Sequence, residues 1–215
     1  MDVLQVLDKS YNSINLGGYD HYLSMSTQLL EKYSLHEKEY IVVHPTSRDA
    51  RKNIPFKLFH ATIMYILDNT NYKIIIVGGK EEISYVNQSL SNVSNNRVLI
   101  TNGTINLFEV RYLIHKAKFF IGIDSSVAHL AASLNLPKLI LWHSLNLINQ
   151  WHPLGENFYI LEEEANGLSS LDDYANLKYA KFTNSVLIHK LCELNLISKG
   201  SNSEFKPSES IKEFN

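Results

Sequence analysis

A basic, hydroxyl-rich segment follows the first apolar run of the chain, at residues 44–53 (HPTSRDARKN). It contains two arginines and Lys52, and its hydroxyls belong to Thr46 and Ser47. Lys and Arg donate charge-assisted hydrogen bonds to phosphate oxygens, so cations in this loop would neutralise a pyrophosphate. A solvated basic loop explains the same residues equally well, because charge clusters on connections are common.

A second polar segment, Asp124–His129 (DSSVAH), joins an apolar run to a small, apolar helix. The first N–H groups of a helix have no partner within it, and the helix dipole favours an anion there. We therefore predict a phosphate site that includes the hydroxyls of Ser125 and Ser126. His129 lies one turn beyond Ser126 and would share its face. The alternative is that Asp124 or Ser125 only caps the helix and His129 packs half-buried, which is the more ordinary role of such residues.

More specific sites are excluded by spacing. Gly78-Gly79-Lys80 lacks the G-x-x-x-x-G-K-[ST] pattern of a P-loop, and Gly122–Ser126 does not match the G-x-S-x-G nucleophile elbow. The 9 histidines form no H-E-x-x-H pattern. A metal would need distant partners such as His44 and Asp124, so we predict no metal site.

The composition excludes several classes of protein. The 215 residues carry 20 Lys+Arg against 22 Asp+Glu, so no basic excess indicates a nucleic-acid partner. No apolar run approaches the ~18 residues that span a bilayer, and the first residues (MDVLQV) do not resemble a secretion signal. The single cysteine, Cys192, fits a reducing compartment. We therefore expect a cytoplasmic protein without a transmembrane segment.

Apolar runs rich in β-branched and aromatic residues are predicted to be strands. The runs do not alternate with polar residues, which is typical of a parallel sheet covered on both faces. They are Tyr40–His44, Tyr72–Val77, Arg97–Ile100, Lys118–Ile123, Pro137–Trp142 and Phe158–Leu161. Regular alternation with helical segments predicts an α/β fold with a single Rossmann-like, doubly wound parallel sheet.

Helical periodicity predicts the segments that separate and follow these strands. They are Pro55–Asp68, Glu81–Ser91, Asn106–His115, Ser125–Leu134 and Phe182–Leu196. Pro55 is expected in the first turn, where its missing N–H costs nothing. We predict three parts: a leader and linker helix at 1–36, a Rossmann-like domain at 37–199 and a mobile tail at 200–215. The linker helix is expected within residues 19–36.

The combination of these motifs resembles the C-terminal domain of glycosyltransferase family 9, the heptosyltransferases of lipopolysaccharide core synthesis. The resemblance covers most of residues 40–160. Its matches are Leu107, Glu109, Asp124, Ser125, His129, Ala131-Ala132, Pro137, and Trp151 with Pro153. Upstream, HPTSRDARKNIPFKLF is similar to the family segment that holds a phosphate-binding lysine, with Lys52 and Pro55 in the matching positions.

The resemblance implies the nucleotide-sugar-binding half of a GT-B enzyme. Such an enzyme transfers a sugar, with inversion and without a metal, from a nucleotide diphosphate sugar to a glycan or lipid-linked acceptor. The donor is a substrate, and no cofactor is implied. The implied location is the cytoplasm, free or peripheral at the inner membrane. The donor site would consist of Thr46, Ser47, Lys52, Asp124, Ser125, Ser126 and His129.

The chain departs from the family pattern at several positions. Ser126 replaces a glycine, Ile54 replaces a tryptophan, and His143-Ser144-Leu145 replaces Gly-Pro-Thr. Residues 1–36 resemble only a linker helix, so no catalytic base can be assigned, and a second chain would supply the acceptor domain. Two alternatives stay open: a non-catalytic binding or scaffolding module with this fold, or another α/β enzyme that uses nucleotide sugars, such as an epimerase.

Overall fold

The computed structural model describes residues 28–142, 155, 157–162 and 184–197. The chain divides into two compact units, Met1–Leu35 and His36–Asn215. In the first unit residues 28–32 are helical, and the rest of the predicted linker helix lies outside the described residues. The predicted tail at 200–215 also lies outside them, and the predicted domain boundaries stay a prediction.

The second unit is built on a six-stranded sheet in the order β3-β2-β1-β4-β5-β6, and every neighbouring pair is parallel. The predicted strands are confirmed to within a residue or two at their ends. The strands are β1 (Tyr40–His44), β2 (Lys73–Ile76), β3 (Val98–Ile100), β4 (Phe120–Ile123), β5 (Lys138–Trp142) and β6 (Phe158–Glu162). The single doubly wound sheet predicted from the sequence is therefore confirmed.

Helices cover the sheet in two layers. They are α1 (Phe56–Asn69), α2 (Ile83–Ser89), α3 (Leu107–Lys116), α4 (Ser126–Ala132) and α5 (Asn184–Glu193), and the 3₁₀ turns Ala50–Lys52 and Lys80–Glu82 precede α1 and α2. Helix α1 packs against α2 and α5, whereas α3 packs against α4 and β1. Successive strand side chains point to opposite faces. Accordingly, Ile41 joins the core that contains α1 and α5, while Tyr40 donates a hydrogen bond to the Leu113 carbonyl of α3.

Helix boundaries differ from the prediction where local chemistry decides them. Pro55 is the N-cap of α1 instead of its first helical residue. Ser125 likewise caps α4, which ends at Ala132 instead of Leu134. At α3 the Asn106 side chain accepts from two first-turn N–H groups, and Glu109 accepts from the Asn106 N–H, which completes a capping box.

Two apolar residues predicted on buried helix faces lie outside the core. Phe56 is 37% exposed and stacks on Tyr85 with ring centroids 4.2 Å apart. Leu107 is 57% exposed at the first residue of α3. Both begin helices at the carboxyl edge of the sheet, where the first turn projects beyond the strands.

Candidate functional site

The strand order places a crevice between β1 and β4. From β1 the chain proceeds outward to β2 and β3, and from β4 it proceeds in the other direction to β5 and β6. At such a switch point the loops after the two central strands diverge, and ligands of open α/β sheets bind there. The loops in question are residues 45–55 and 124–125, which contain the residues predicted from the sequence to bind phosphate.

Lys52 connects these two loops. Its ammonium donates to the Asp124 carboxylate at 2.7 Å and to the Asp124 carbonyl at 3.1 Å. The side chains are 13% and 4% exposed, so the ion pair is largely shielded from water. Because the carboxylate and the carbonyl belong to one residue, they fix the lysine head at the end of β4.

Ser125 connects the same edge to β1. Its Oγ accepts from the Ala128 N–H at 3.3 Å and lies 3.1 Å from Nδ1 of His44. His44 is the last residue of β1 and is 5% exposed. Burial lowers the pKa of His44 to about 4, against an opposing effect of the Glu82 charge, so the ring is neutral near pH 7. The capping role foreseen for Ser125 is therefore present, and the hydroxyl has a partner besides the helix.

Ser126 and His129 lie on the outside of α4. Both side chains are exposed, and their spacing places them on one helix face. The alternative in which His129 packs half-buried is therefore wrong. Neither residue has a described side-chain hydrogen bond, so their predicted role in the donor site stays a prediction.

The two predicted hydroxyls of the first loop have structural partners. Thr46 is fully buried, and its Oγ1 donates to the Glu82 carboxylate at 2.6 Å. Glu82 also accepts from the Gly79 N–H, which ties the loop after β2 to the loop after β1. The Oγ of Ser47 accepts from the Asp49 N–H, and the Ser47 N–H donates to the Asn53 side chain. These hydroxyls shape the loop.

The cations of the first loop have different surroundings. The Arg51 guanidinium donates to Asp49 through Nε and Nη2, and it thereby holds the pKa of the Asp49 carboxyl below its usual range. Arg48 is exposed and forms no ion pair with any residue that the structure describes. The positive charge that this loop presents to solvent is therefore carried mainly by Arg48.

Sequence reasoning missed three residues at this edge. His44 was considered only as a remote metal ligand, and Glu82 was assigned to a helix without a role. Asn102, directly after β3 with 2% exposure, has no described hydrogen-bond partner for either amide atom. The available signal was positional, because each lies directly after a strand or one short turn beyond it.

Two further features were surveyed over the described ranges. No group of three or more His, Cys, Asp and Glu side chains there is arranged to hold a metal ion. Within the same ranges, no helix has the length and apolarity needed to cross a membrane.

The fold is that of known sugar transferases. ADP-heptose lps heptosyltransferase II of E. coli superposes with a TM-score of 0.65 at 19% identity, over 80% of this chain and 51% of that one. E. coli heptosyltransferase WaaC with ADP gives a TM-score of 0.60 at 18% identity, over 79% and 48%. Both likenesses show a shared fold, and this chain spans about half of each structure.

The family assignment comes from the sequence. Residues 8–178 match the model of glycosyltransferase family 9 (heptosyltransferase), and the chain therefore belongs to that family. Lipopolysaccharide heptosyltransferase 3 of Escherichia coli is 30% identical over 122 residues, which is 56% of this chain and 35% of that protein. The chain thus spans about a third of that curated relative.

Proposed function

We propose that this chain binds the donor in a family 9 glycosyl transfer. The donor is a nucleotide diphosphate sugar, and the sugar, a heptose or another, passes to a lipopolysaccharide or other glycan acceptor. The observation that carries the proposal is that Lys52 and Ser125 reach one edge of the sheet, at the switch point, from loops far apart in sequence. Binding of ADP by heptosyltransferase WaaC supports a nucleotide diphosphate as the ligand class.

The chemistry requires stabilisation of a leaving diphosphate. An acceptor oxygen attacks the anomeric carbon from the opposite side, the bond from that carbon to the diphosphate oxygen breaks, and its electron pair leaves with the diphosphate. A cation and fixed hydrogen-bond donors at that oxygen lower the barrier without a metal. Lys52, held in direction by Asp124, and the hydroxyl of Ser125 are suited to this task. The proton of the acceptor passes to a base, which we place on a second domain or chain.

The test is calorimetric titration of the chain with ADP, ADP-sugars and UDP-sugars. We expect binding of at least one of them, and we expect Lys52→Ala and His129→Ala each to weaken it about tenfold or more, as loss of a hydrogen bond to a charged group does. Lys190→Ala and His189→Ala on α5 are the matched controls and should leave the affinity unchanged. Absence of heat with every nucleotide would overturn the proposal.

A second candidate function is a non-catalytic interaction module. Leu107 and Phe108 are 57% and 68% exposed at the start of α3, and exposed large apolar side chains mark contact surfaces when they cluster. This function predicts a partner that binds through α3. It would be favoured if Lys52→Ala and His129→Ala left nucleotide binding unchanged while Leu107→Ser with Phe108→Ser abolished binding of a partner.

A further inference from the structure

We propose that His44 is a positioning residue of the donor site: its Nδ1–H donates to Ser125 Oγ, so that the Ser125 hydroxyl proton is directed to the diphosphate. This inference rests on the proposed function, since it concerns the same ligand. It assigns a role to a buried side chain that does not itself contact the diphosphate.

The geometry places His44 and Ser125 against each other across the switch point. His44 pairs with Gly122 in the register of β1 and β4, and Ser125 follows shortly after β4. The two residues are 81 positions apart, yet Nδ1 and Oγ are 3.1 Å apart, within hydrogen-bond distance. The contact therefore depends on the pairing of the two central strands.

The hydrogen-bond capacity of Ser125 limits what it can do. A serine hydroxyl has one proton to donate and two lone pairs that accept. The Ala128 N–H occupies one lone pair, which leaves one lone pair and the proton for His44 and a ligand. If Nδ1 of His44 accepts, the hydroxyl proton points to the ring and is lost to the ligand. If Nδ1 carries a proton and donates, both lone pairs are filled and the hydroxyl can donate outward.

A diphosphate selects the second arrangement because its oxygens only accept hydrogen bonds. The ring can respond, since it is neutral and its single proton can reside on either nitrogen. Burial keeps the pKa of His44 low. The charged groups around it are Glu82, whose charge acts on the ring, and the mutually paired Lys52 and Asp124 on the loops beside it.

The first experiment is a double-mutant cycle on ADP affinity, measured by calorimetry on the full chain. We expect His44→Leu to weaken ADP binding about tenfold, the effect of one lost hydrogen bond to a charged group. We expect His44→Asn to retain most of the affinity, because its amide nitrogen lies near the place of Nδ1. In the Ser125→Ala background, His44→Leu should change the affinity by less than about twofold.

The second experiment reads the proton directly. In protein labelled with ¹⁵N-histidine, the Nδ1 resonance of His44 is assigned by its loss in His44→Asn. With ADP bound we expect the shift of a protonated nitrogen, a signature that a purely structural role would not produce. This measurement decides the question even if His44→Leu fails to fold.

The outcomes separate this inference from the proposed function. Additive effects of His44→Leu and Ser125→Ala, or an unprotonated Nδ1 in the ADP complex, would overturn the role of His44 and leave donor binding intact. A wild-type chain that does not bind ADP would overturn both.

Discussion

Lys52 and Asp124 are 72 positions apart, and the lysine Nζ lies 2.7 Å from the aspartate Oδ2. The two residues come from loops after β1 and β4, which are neighbours only because the sheet reverses its order between them. The pair links the two halves of the sheet at the edge where ligands of this fold class bind. It serves stability and, in the proposed function, positions a cation for the leaving diphosphate.

Removing the lysine should destabilise the fold. Lys52→Met leaves the Asp124 carboxylate, 4% exposed, without that ammonium, and loss of one partner from a buried pair costs about 3 kcal/mol. Adding Asp124→Asn should restore most of the free energy of unfolding, because the isolated charge is removed, but should not restore ADP binding. Urea denaturation of the single and double variants measures this.

The control for that prediction is an exposed pair. Lys190 lies 3.1 Å from Glu193, with side chains 26% and 55% exposed, so Lys190→Met should change the free energy of unfolding by less than about 1 kcal/mol. A double variant at positions 52 and 124 as unstable as the sum of its single substitutions would contradict the proposed coupling.

Arg48 and Arg51 are expected to differ in ligand binding. Arg48 has no ion pair within the described part of the chain, whereas Arg51 is held by Asp49. Arg48→Ala should therefore weaken ADP binding several-fold at low salt, with a smaller effect at high salt because exposed charges are screened. Arg51→Ala should have the lesser effect. Calorimetry at two ionic strengths makes the comparison, and equal losses for both variants would count against it.

Gly78 should not accept a side chain. A Cβ at this position would lie 2.3 Å from the Asn102 amide nitrogen and 2.6 Å from the Glu82 carboxylate. Gly78→Ala would displace the carboxylate that accepts from Thr46, and we expect a loss of about 1–3 kcal/mol in the free energy of unfolding.

Gly79→Ala is the matched control. Its Cβ would meet only the flexible Glu81 and Glu82 side chains, at 3.0 Å and beyond, so thermal unfolding should shift little. Equal destabilisation by the two alanines would show that the polar cluster around Glu82 is not the reason.

His44 should make stability depend on pH below neutrality. Its pKa is about 4 in the folded protein and about 6.5 when unfolded. Between these values the unfolded chain binds a proton that the folded chain does not, so stability is lost as the pH falls from about 6.5 towards 4. At about 1.4 kcal/mol per pH unit, wild type should lose about 2 kcal/mol relative to His44→Asn between pH 7.5 and pH 5. Denaturant curves at both pH values test this, and parallel losses would refute it.

The sequence by itself determined the sheet and the places where a ligand could bind. Strands such as Tyr40–His44 are continuous apolar runs, and a run of this kind identifies a covered parallel strand wherever it lies in the chain. Asn106 begins α3 for an equally local reason, because its side chain and Glu109 satisfy the first-turn N–H groups. Position directly after a strand was enough to indicate Lys52 and Ser125.

Only the tertiary structure decided which of those side chains meet. The contacts Lys52–Asp124, Ser125–His44 and Thr46–Glu82 span 72, 81 and 36 positions and depend on strand order, which no local pattern encodes. Burial was also decided there. Phe56 and Leu107 fit an apolar stripe but project beyond the sheet edge, whereas Thr46 and His44 are polar but lie beneath the converging loops. A hydrophobic pattern records which residues can be buried, and packing against distant segments determines which of them are.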